Sequence, residues 1–513
     1  MNFIALESAR KLRGGYYTPE AVARFLCRWA GEISPRRVLE PACGDGVFLR
    51  ALPRARFVAY EIDPAEAARA RRPGAEVRAR DFLAAALEEP ETEAPFDAAV
   101  GNPPYIRYQY LSEGAQRRAA AVFERAGLAF TRHTNAWVPF VIASLALLRP
   151  GGRLAMVVPA ELLHVLHAGE LRRHLGESCS RVRIVDPRGL LFEGALQGTL
   201  LLMAEKGLGP ARIAIRRAER FEASADELFA GAPEAAASGS RKWTAALLGE
   251  RERAAFESAA AALPRFADLA EVDVGVVTGA NRFFLVDDAT VRAHGLRRFA
   301  RPAFGRSAHA RGVIYDQGQH DANIARGLPT SLLWFDGALS APVRRYLARG
   351  EAQGLHRRFK CRVREPWYRV PSVWASPVSM LKRSHDHPRL VWNTMGALTT
   401  DTAYRVKPRA ASAAQIVFAF LNSATALSAE IEGRHYGGGV LELVPSEIEK
   451  LLVPRGPERP PIEELDRRVR AGTPAPELLR AQDELLLRAL PRSERLTLLE
   501  AWLELRARRQ RSA

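Results

Sequence analysis

Asn102-Pro103-Pro104-Tyr105 is the stretch of this 513-residue chain whose side chains are best suited to chemistry. It follows Phe96-Asp97-Ala98-Ala99-Val100-Gly101, an apolar run that reads as a buried strand ending at a glycine. The two prolines remove two N–H donors and fix φ, so nearby carbonyls stay outside regular structure and can accept bonds from a ligand. An amide, a carbonyl and an aromatic face together suit a planar NH2 group beside a ring, which is the edge and face of adenine. Open α/β sheets place their ligands at such strand tips. A Pro-Pro pair after a strand also serves as a plain strand stop, and Asn before Pro commonly starts a turn.

Three acids stand at comparable places. Glu40-Pro41-Ala42-Cys43-Gly44-Asp45-Gly46 leaves a strand and enters a helix. Its glycines let the backbone turn tightly and approach a ligand, and the helix N-terminus offers N–H groups. The loop is not GxGxxG and lacks the lysine of a P-loop, which disfavours a nucleoside triphosphate. Glu40 at the strand tip suits an ammonium group better than a phosphate. Glu61 closes the next strand, about twenty residues on, where an acid can accept bonds from both ribose hydroxyls. Asp81 follows a third strand and can accept from a purine amino group, with Phe82 beside the ring. Singly, each acid reads as a helix cap. Together they describe a pocket for a nucleoside bearing an amino acid. S-adenosylmethionine fits; NAD fits less well, because nothing cradles a pyrophosphate.

These residues must be held by an alternation of short strands and helices. The apolar runs predict strands at 37–40, 57–61, 76–80, 96–101, 153–158, 181–185 and 199–205. Helical spacing falls at 19–30, 46–52, 64–71 and 134–149, the last closed by Pro150-Gly151-Gly152. This rhythm predicts an α/β, Rossmann-like fold with a mostly parallel sheet covered on both faces. The catalytic domain is expected over 1–210, followed by an Ala- and Glu-rich linker with some helix at 211–264. Short strands, frequent turns and arginines mixed with aromatics predict a mixed α+β domain at 265–455. Residues 456–513 read as a helical segment whose leucine stripe serves packing.

The net charge of +17 is unevenly spread. Residues 265–455 carry 27 Lys and Arg against 17 Asp and Glu, whereas 1–210 carry 28 against 23. The basic excess therefore sits mainly in the C-terminal half, as expected of a surface that meets a polyanion. The strip 355–374 holds Arg357, Arg358, Lys360, Arg362 and Arg364 with Trp367 and Tyr368, and is the candidate surface for a polyanion such as DNA; a solvated basic face is the plain alternative. Four cysteines lie scattered without CxxC spacing. His164, His167 and His174 have helical spacing but no partner cysteines, so no metal site is expected. No apolar leader segment precedes Gly15, and the longest apolar stretch, 136–148, is too short to span a bilayer, so the expected compartment is the cytoplasm.

Over about residues 1–210 the chain resembles the amino-type DNA methyltransferases, in particular the γ-class adenine-N6 enzymes of the Taq type, class I S-adenosylmethionine-dependent folds. Tyr16-Tyr17-Thr18-Pro19 is similar to the motif that precedes the glycine loop there and helps hold the cofactor. The segment from Val38 through Glu40, Ala42 and Gly44 to Gly46 resembles the cofactor loop. Glu61-Ile62-Asp63-Pro64 resembles the ribose-binding step, and Asp81-Phe82-Leu83 the adenine-binding step. Asn102 to Tyr105 matches the catalytic motif, and Asn rather than Ser at its head favours adenine over cytosine N4. Phe192, in Leu191-Phe192-Glu193-Gly194-Ala195, falls where the family sets a second aromatic against the target base, although a core role suits it equally. Val274 to Asn281 and Tyr436 to Glu442 are similar to segments of target-recognition domains.

The resemblance implies transfer of a methyl group from S-adenosylmethionine to N6 of a flipped adenine in double-stranded DNA, as the modification enzyme of a bacterial restriction-modification system. It implies a monomer on DNA and leaves room for a separate cognate restriction endonuclease. Asn-Pro-Pro-Tyr also occurs in enzymes that methylate protein glutamine amides and in RNA methyltransferases, and a non-catalytic DNA-binding relative is a third reading. A basic C-terminal domain of this size suits duplex recognition and is surplus for a glutamine amide.

Overall fold

Successive residues of a strand face opposite sides of a sheet, and the central strands use this to build two cores at once. Leu39, Val58, Tyr60, Ala99, Leu154 and Met156 enter one apolar cluster, and Val38, Phe57, Ala59, Ala98, Val100 and Ala155 enter the other. Helices α4 (Phe82–Glu88), α5 (Glu113–Arg125) and α6 (Trp137–Ala146) cover the first face. Helices α1 (Glu20–Gly31) and α2 (Val47–Ala51) cover the second. A short α3 (Pro64–Ala70) joins β2 to β3. The computed structural model describes residues 17–88, 95–192, 198–236, 239, 241–409 and 411–511. Tyr16 and Glu193, Gly194 and Ala195 of the motifs quoted above lie outside them.

The sheet has nine strands: β1 (Arg37–Glu40), β2 (Arg56–Tyr60), β3 (Ala75–Arg78), β4 (Phe96–Gly101), β5 (Leu148–Pro159), β6 (Cys179–Pro187), β7 (Thr199–Lys206), β8 (Arg212–Ala218) and β9 (Ala235–Ala236). Their order is β3-β2-β1-β4-β5-β7-β6-β8-β9. Strands β3 to β5 run parallel, β7 lies antiparallel between β5 and β6, and β8 rejoins β6 in parallel. Connections leave β1 toward β3 and leave β4 the other way, so the topological switch point lies between β1 and β4, where such folds bind ligands.

Two sequence expectations change. Pro150-Gly151-Gly152 does not close the helix before it: α6 ends at Ala146, and the tripeptide lies within β5. The register of β5 against β4 jumps there, from Phe96↔Leu148 to Ala98↔Arg153, so a bulge absorbs the residues that cannot continue the ladder. The segment 211–264 is not a linker throughout. Its Arg212–Ala218 run buries Ile213 and Ile215 and pairs with β6 over seven residues.

The chain divides into two compact units. The first runs to Glu250 and takes in 436–438 and the last three residues; the second comprises Arg251–His435 and Gly439–Gln510. In the second unit a five-stranded sheet is ordered β10-β14-β12-β13-β11, from β10 (Ala270–Val274), β11 (Ile314–Tyr315), β12 (Val378–Leu381), β13 (Leu390–Asn393) and β14 (Ala403–Pro408). Helix α7 (Ser423–Glu432) is almost wholly buried and packs on α8 (Arg492–Gln510). Between them Arg509 and Glu430, both side chains fully buried, form a 2.7 Å ion pair. Arg509 also donates to the carbonyls of His385, Asp386 and Gly439, so its remaining N–H groups are satisfied. Of the C-terminal leucine stripe, Leu478, Leu479, Leu487, Leu499, Trp502 and Leu505 are buried, and Leu485 is exposed.

All four cysteines are free and buried, and burial pushes their thiols up, Cys179 to about 12. Among the described residues no single helix is long and apolar enough to cross a membrane, and no group of His, Cys, Asp or Glu is arranged to hold a metal ion.

Candidate active site

Strand β1 delivers Glu40 to the switch point, where it is 1% exposed. The loop behind it is shaped by backbone bonds: Cys43 N–H donates to the Tyr60 carbonyl (2.9 Å) and Gly46 N–H to the Cys43 carbonyl (2.8 Å). Gly44 (φ +50°) and Gly46 (φ +81°) are both left-handed, which explains the residue type. At Gly46 a Cβ would also come within 3.3 Å of Ala70 on α3.

Glu61, at the end of β2, is locked by this loop. Gly44 N–H donates to one carboxylate oxygen (3.0 Å) and Asp63 N–H to the other (2.9 Å). A carboxylate has about four acceptor sites, so the two that remain can take both hydroxyls of a ribose. Asp63 itself caps α3 through Ala65 N–H (2.9 Å), with Pro64 in the first helical turn. Ile62 beside Glu61 is 69% exposed, an apolar side chain available to a planar ligand.

Glu40 is electrostatically different. Burial, reinforced by nearby Asp45 and Glu61 against the opposing Arg50, holds its carboxyl well above the usual carboxylate range. Its Oε2 is buried and has no hydrogen-bond partner among the described residues. A buried orphan acceptor of this kind calls for a cationic donor, and the α-ammonium of S-adenosylmethionine is one.

Asp81 follows β3 and caps α4 through Ala84 N–H (3.0 Å); its second oxygen takes a 2.9 Å bond from Arg118 on α5. Charge pairing across 37 residues leaves no local pattern, and Arg118 escapes a reading of the sequence. Phe82 is a correction. It is 2% exposed and packs on Tyr60 and Phe140 (ring centroids 5.4 and 5.5 Å), so it belongs to the apolar core.

The tip itself follows β4. A Cβ at Gly101 would lie 3.3 Å from the Pro41 ring, a tight contact that glycine avoids where the tip meets the cofactor loop. Asn102 donates its side-chain N–H to the Thr18 hydroxyl at 3.2 Å. Thr18 is buried beside Pro19, which starts α1, while Tyr17 is exposed with its hydroxyl 3.4 Å from both Glu66 oxygens. Pro103 is buried, Pro104 and Tyr105 half-buried, and Tyr105 packs against the apolar clusters of both sheet faces. Phe192 is a second correction: it is 5% exposed within the cluster on the α1 face, as its alternative core reading allowed. The structure thus sets Glu40, Ala42, Gly44, Gly46, Glu61, Ile62, Asp81 and Asn102 to Tyr105 at or just beyond the carboxyl ends of the adjacent parallel strands β1, β2, β3 and β4, with Thr18 joined to them through Asn102.

In the second unit Arg357, Arg358, Lys360 and Arg362 are exposed, with Lys360 and Arg362 over the ring of exposed Phe359 at 5.6 and 5.4 Å. Arg364 departs from the expected DNA-facing set. Its guanidinium donates to the Val277 and Thr278 carbonyls (2.6 and 2.9 Å), so it holds the loop before Asn281. Trp367 and Tyr368 pack on the apolar core of this unit.

Residues 67–190 match the family described as Eco57I restriction-modification methylase, and residues 240–487 match the Type II methyltransferase M.Eco57I C-terminal domain. Type II methyltransferase M.XamI of Xanthomonas campestris pv. amaranthicola is 24% identical over 467 residues, 86% of this chain and 85% of that protein. Type II methyltransferase M.TthHB8I of Thermus thermophilus is 36% identical over 209 residues, 39% of this chain and 46% of that one. The Type IIL restriction-modification enzyme MmeI, solved in complex with DNA, shares the fold with a TM-score of 0.55 at 12% identity, over 95% of this chain and 75% of that one. With both family matches and with acids and Asn-Pro-Pro-Tyr at neighbouring strand tips, this chain belongs to the DNA methyltransferases of restriction-modification systems.

Proposed function

We propose that the enzyme methylates N6 of an adenine turned out of duplex DNA. The observation that carries this reading is the Asn102 amide, held by Thr18 at the tip of β4, the strand beside the one that ends at Glu40. Adenine N6 is a poor nucleophile because its lone pair is delocalised into the ring. Bonds from its two N–H groups to the Asn102 side-chain oxygen and the Pro103 carbonyl draw the nitrogen toward sp3, and the lone pair becomes available. The effect is positioning plus electrostatic stabilisation, without covalent catalysis. S-adenosylmethionine supplies an electrophilic sulfonium methyl group. Glu40 holds its ammonium, Glu61 its ribose, and Asp81 with Ile62 its adenine, while Tyr17, Thr18 and Pro19 close that side. Tyr105 stacks on the target base and offsets part of the few kcal/mol that extrusion costs.

The catalytic chemistry is assigned to residues 1–210 and target reading to residues 265–455, with Arg357, Arg358, Lys360 and Arg362 on phosphates. Acting on chromosomal DNA, the enzyme is placed in the bacterial cytoplasm as a monomer on DNA, with any cognate endonuclease a separate chain.

The test is incubation of the purified protein with labelled S-adenosylmethionine and plasmid DNA, followed by nucleoside analysis and mapping of modified positions. N6-methyladenine at a defined sequence is expected. Label in N4-methylcytosine overturns the choice of base, and label only in protein or RNA overturns the substrate.

A further inference from the structure

Immediately beyond the tip the chain presents a second aromatic that the methyl-transfer chemistry does not use. Tyr110 is 64% exposed. It stands on a tight 3-10 turn, Tyr108–Tyr110, in which its N–H donates to the Arg107 carbonyl at 2.9 Å. The turn is braced from three sides. Gln116 on α5 donates to the carbonyls of Tyr108 and Leu111 (3.2 and 3.0 Å). The Tyr108 ring packs on Phe130 at 5.6 Å, and Phe130 meets Phe123 edge-on at 5.3 Å. Ala136 N–H donates to the Ile106 carbonyl at 2.8 Å. A large aromatic held out on a fixed support is costly to solvate and suits a partner with a flat apolar face. Exposed Arg107 and Gln109 flank it with donors for phosphate and base edges.

The five residue steps from Tyr105 to Tyr110 reach at most about 17 Å of extended chain. Tyr110 therefore lies no farther than that from Tyr105, and the base against Tyr105 and the gap it leaves in the helix belong to one nucleotide. We propose that Tyr110 is a positioning residue that enters this gap, stacks in place of the departed adenine and holds the extruded state open. The inference rests on the reading of a flipped target base; it adds the residue that stabilises the DNA left behind.

The experiment uses the full-length enzyme on oligonucleotide duplexes carrying the mapped site, with the target adenine either paired with thymine or placed opposite an abasic position. 2-Aminopurine at the target position reports extrusion. For Tyr110→Ala we expect kcat/KM on the paired duplex to fall by about tenfold to a hundredfold, the range that base–aromatic stacking carries, and the 2-aminopurine signal to fall with it. Opposite an abasic position, where extrusion costs less, the deficit should shrink to within about threefold, and Tyr110→Trp should restore the paired duplex. S-adenosylmethionine binding should be unchanged in both variants, as befits an exposed residue. Equal losses on both duplexes, or no loss on either, overturn the proposal. Wild-type protein that leaves N6 unmodified on either duplex instead overturns the functional reading on which it stands.

Discussion

Asn102 and Thr18, 84 residues apart in sequence, meet at 3.2 Å with the asparagine amide donating to the threonine hydroxyl. With the amide N–H turned to Thr18, the side-chain oxygen lies on the other side, where an acceptor is required. Thr18 is buried and sits just before α1, so a rigid helix start supports the orientation. Asn102→Ala should abolish methyl transfer while leaving S-adenosylmethionine affinity nearly intact by calorimetry. Thr18→Val should lower single-turnover methylation by about five- to tenfold, the worth of one hydrogen bond of about 1 kcal/mol, and Thr18→Ser should recover it.

Glu40→Gln should act in opposite directions on stability and on binding. The carboxyl is held well above the usual range, chiefly by burial. Between the ordinary carboxylate pKa and that raised value the folded protein keeps a proton that the unfolded chain has lost, so its stability falls as pH rises through the window. Glutamine does not ionise. The variant should therefore melt higher than the wild type at neutral pH, with the difference vanishing in acid. It should bind S-adenosylmethionine about tenfold to a hundredfold more weakly, since a charge-assisted bond of about 1.5–3 kcal/mol is lost. A variant that binds as well as the wild type would remove Glu40 from the ammonium site.

Asp81 carries two tasks, capping α4 and meeting Arg118. Asp81→Ala should weaken S-adenosylmethionine binding and destabilise the protein by about 1 kcal/mol through the lost cap. Arg118→Ala leaves the cap in place and removes only a partly exposed ion pair, and should change the melting temperature little. Calorimetry and thermal melts on the two variants separate the roles.

Four of the five cations expected at the DNA surface are exposed. Alanine at Arg357, Arg358, Lys360 or Arg362 should reduce the slope of log affinity against log salt by about one each. Arg364→Ala should leave the slope unchanged and lower stability instead, because it releases the Val277 and Thr278 carbonyls. Binding that is flat with salt in the wild type would rule the phosphate role out.

The strand tips were legible because each coincides with a local signal. A short apolar run stops at an acid, or at Gly101 followed by Asn102 and two prolines, and those transitions show without knowledge of the tertiary fold. The inward faces of Phe82 and Phe192 were not legible, since an aromatic beside a motif serves a ligand or a core alike until its neighbours are placed. Strand β8 was masked by arginines at 212, 216 and 217 around its buried isoleucines, a charged pattern that composition alone reads as linker. Arg364 sits in a basic run whose other members face solvent, and only the carbonyls of a loop some 87 positions away distinguish it.

The buried Arg509–Glu430 pair ties α8 to α7. Arg509→Leu should destabilise the second unit by about 3–5 kcal/mol, because the fully buried glutamate loses the partner that offsets its burial. Replacing both partners with apolar residues should recover much of that. Thermal melts of the single and double variants check the difference.

Burial of all four thiols has a practical consequence. With their ionisation suppressed and their sulfurs covered, none is a ready target for maleimide or iodoacetamide labels while the protein stays folded. A single cysteine introduced on the surface would then be the one reactive handle, and a fluorophore attached there would report on nucleic-acid engagement without first stripping the native sulfhydryls.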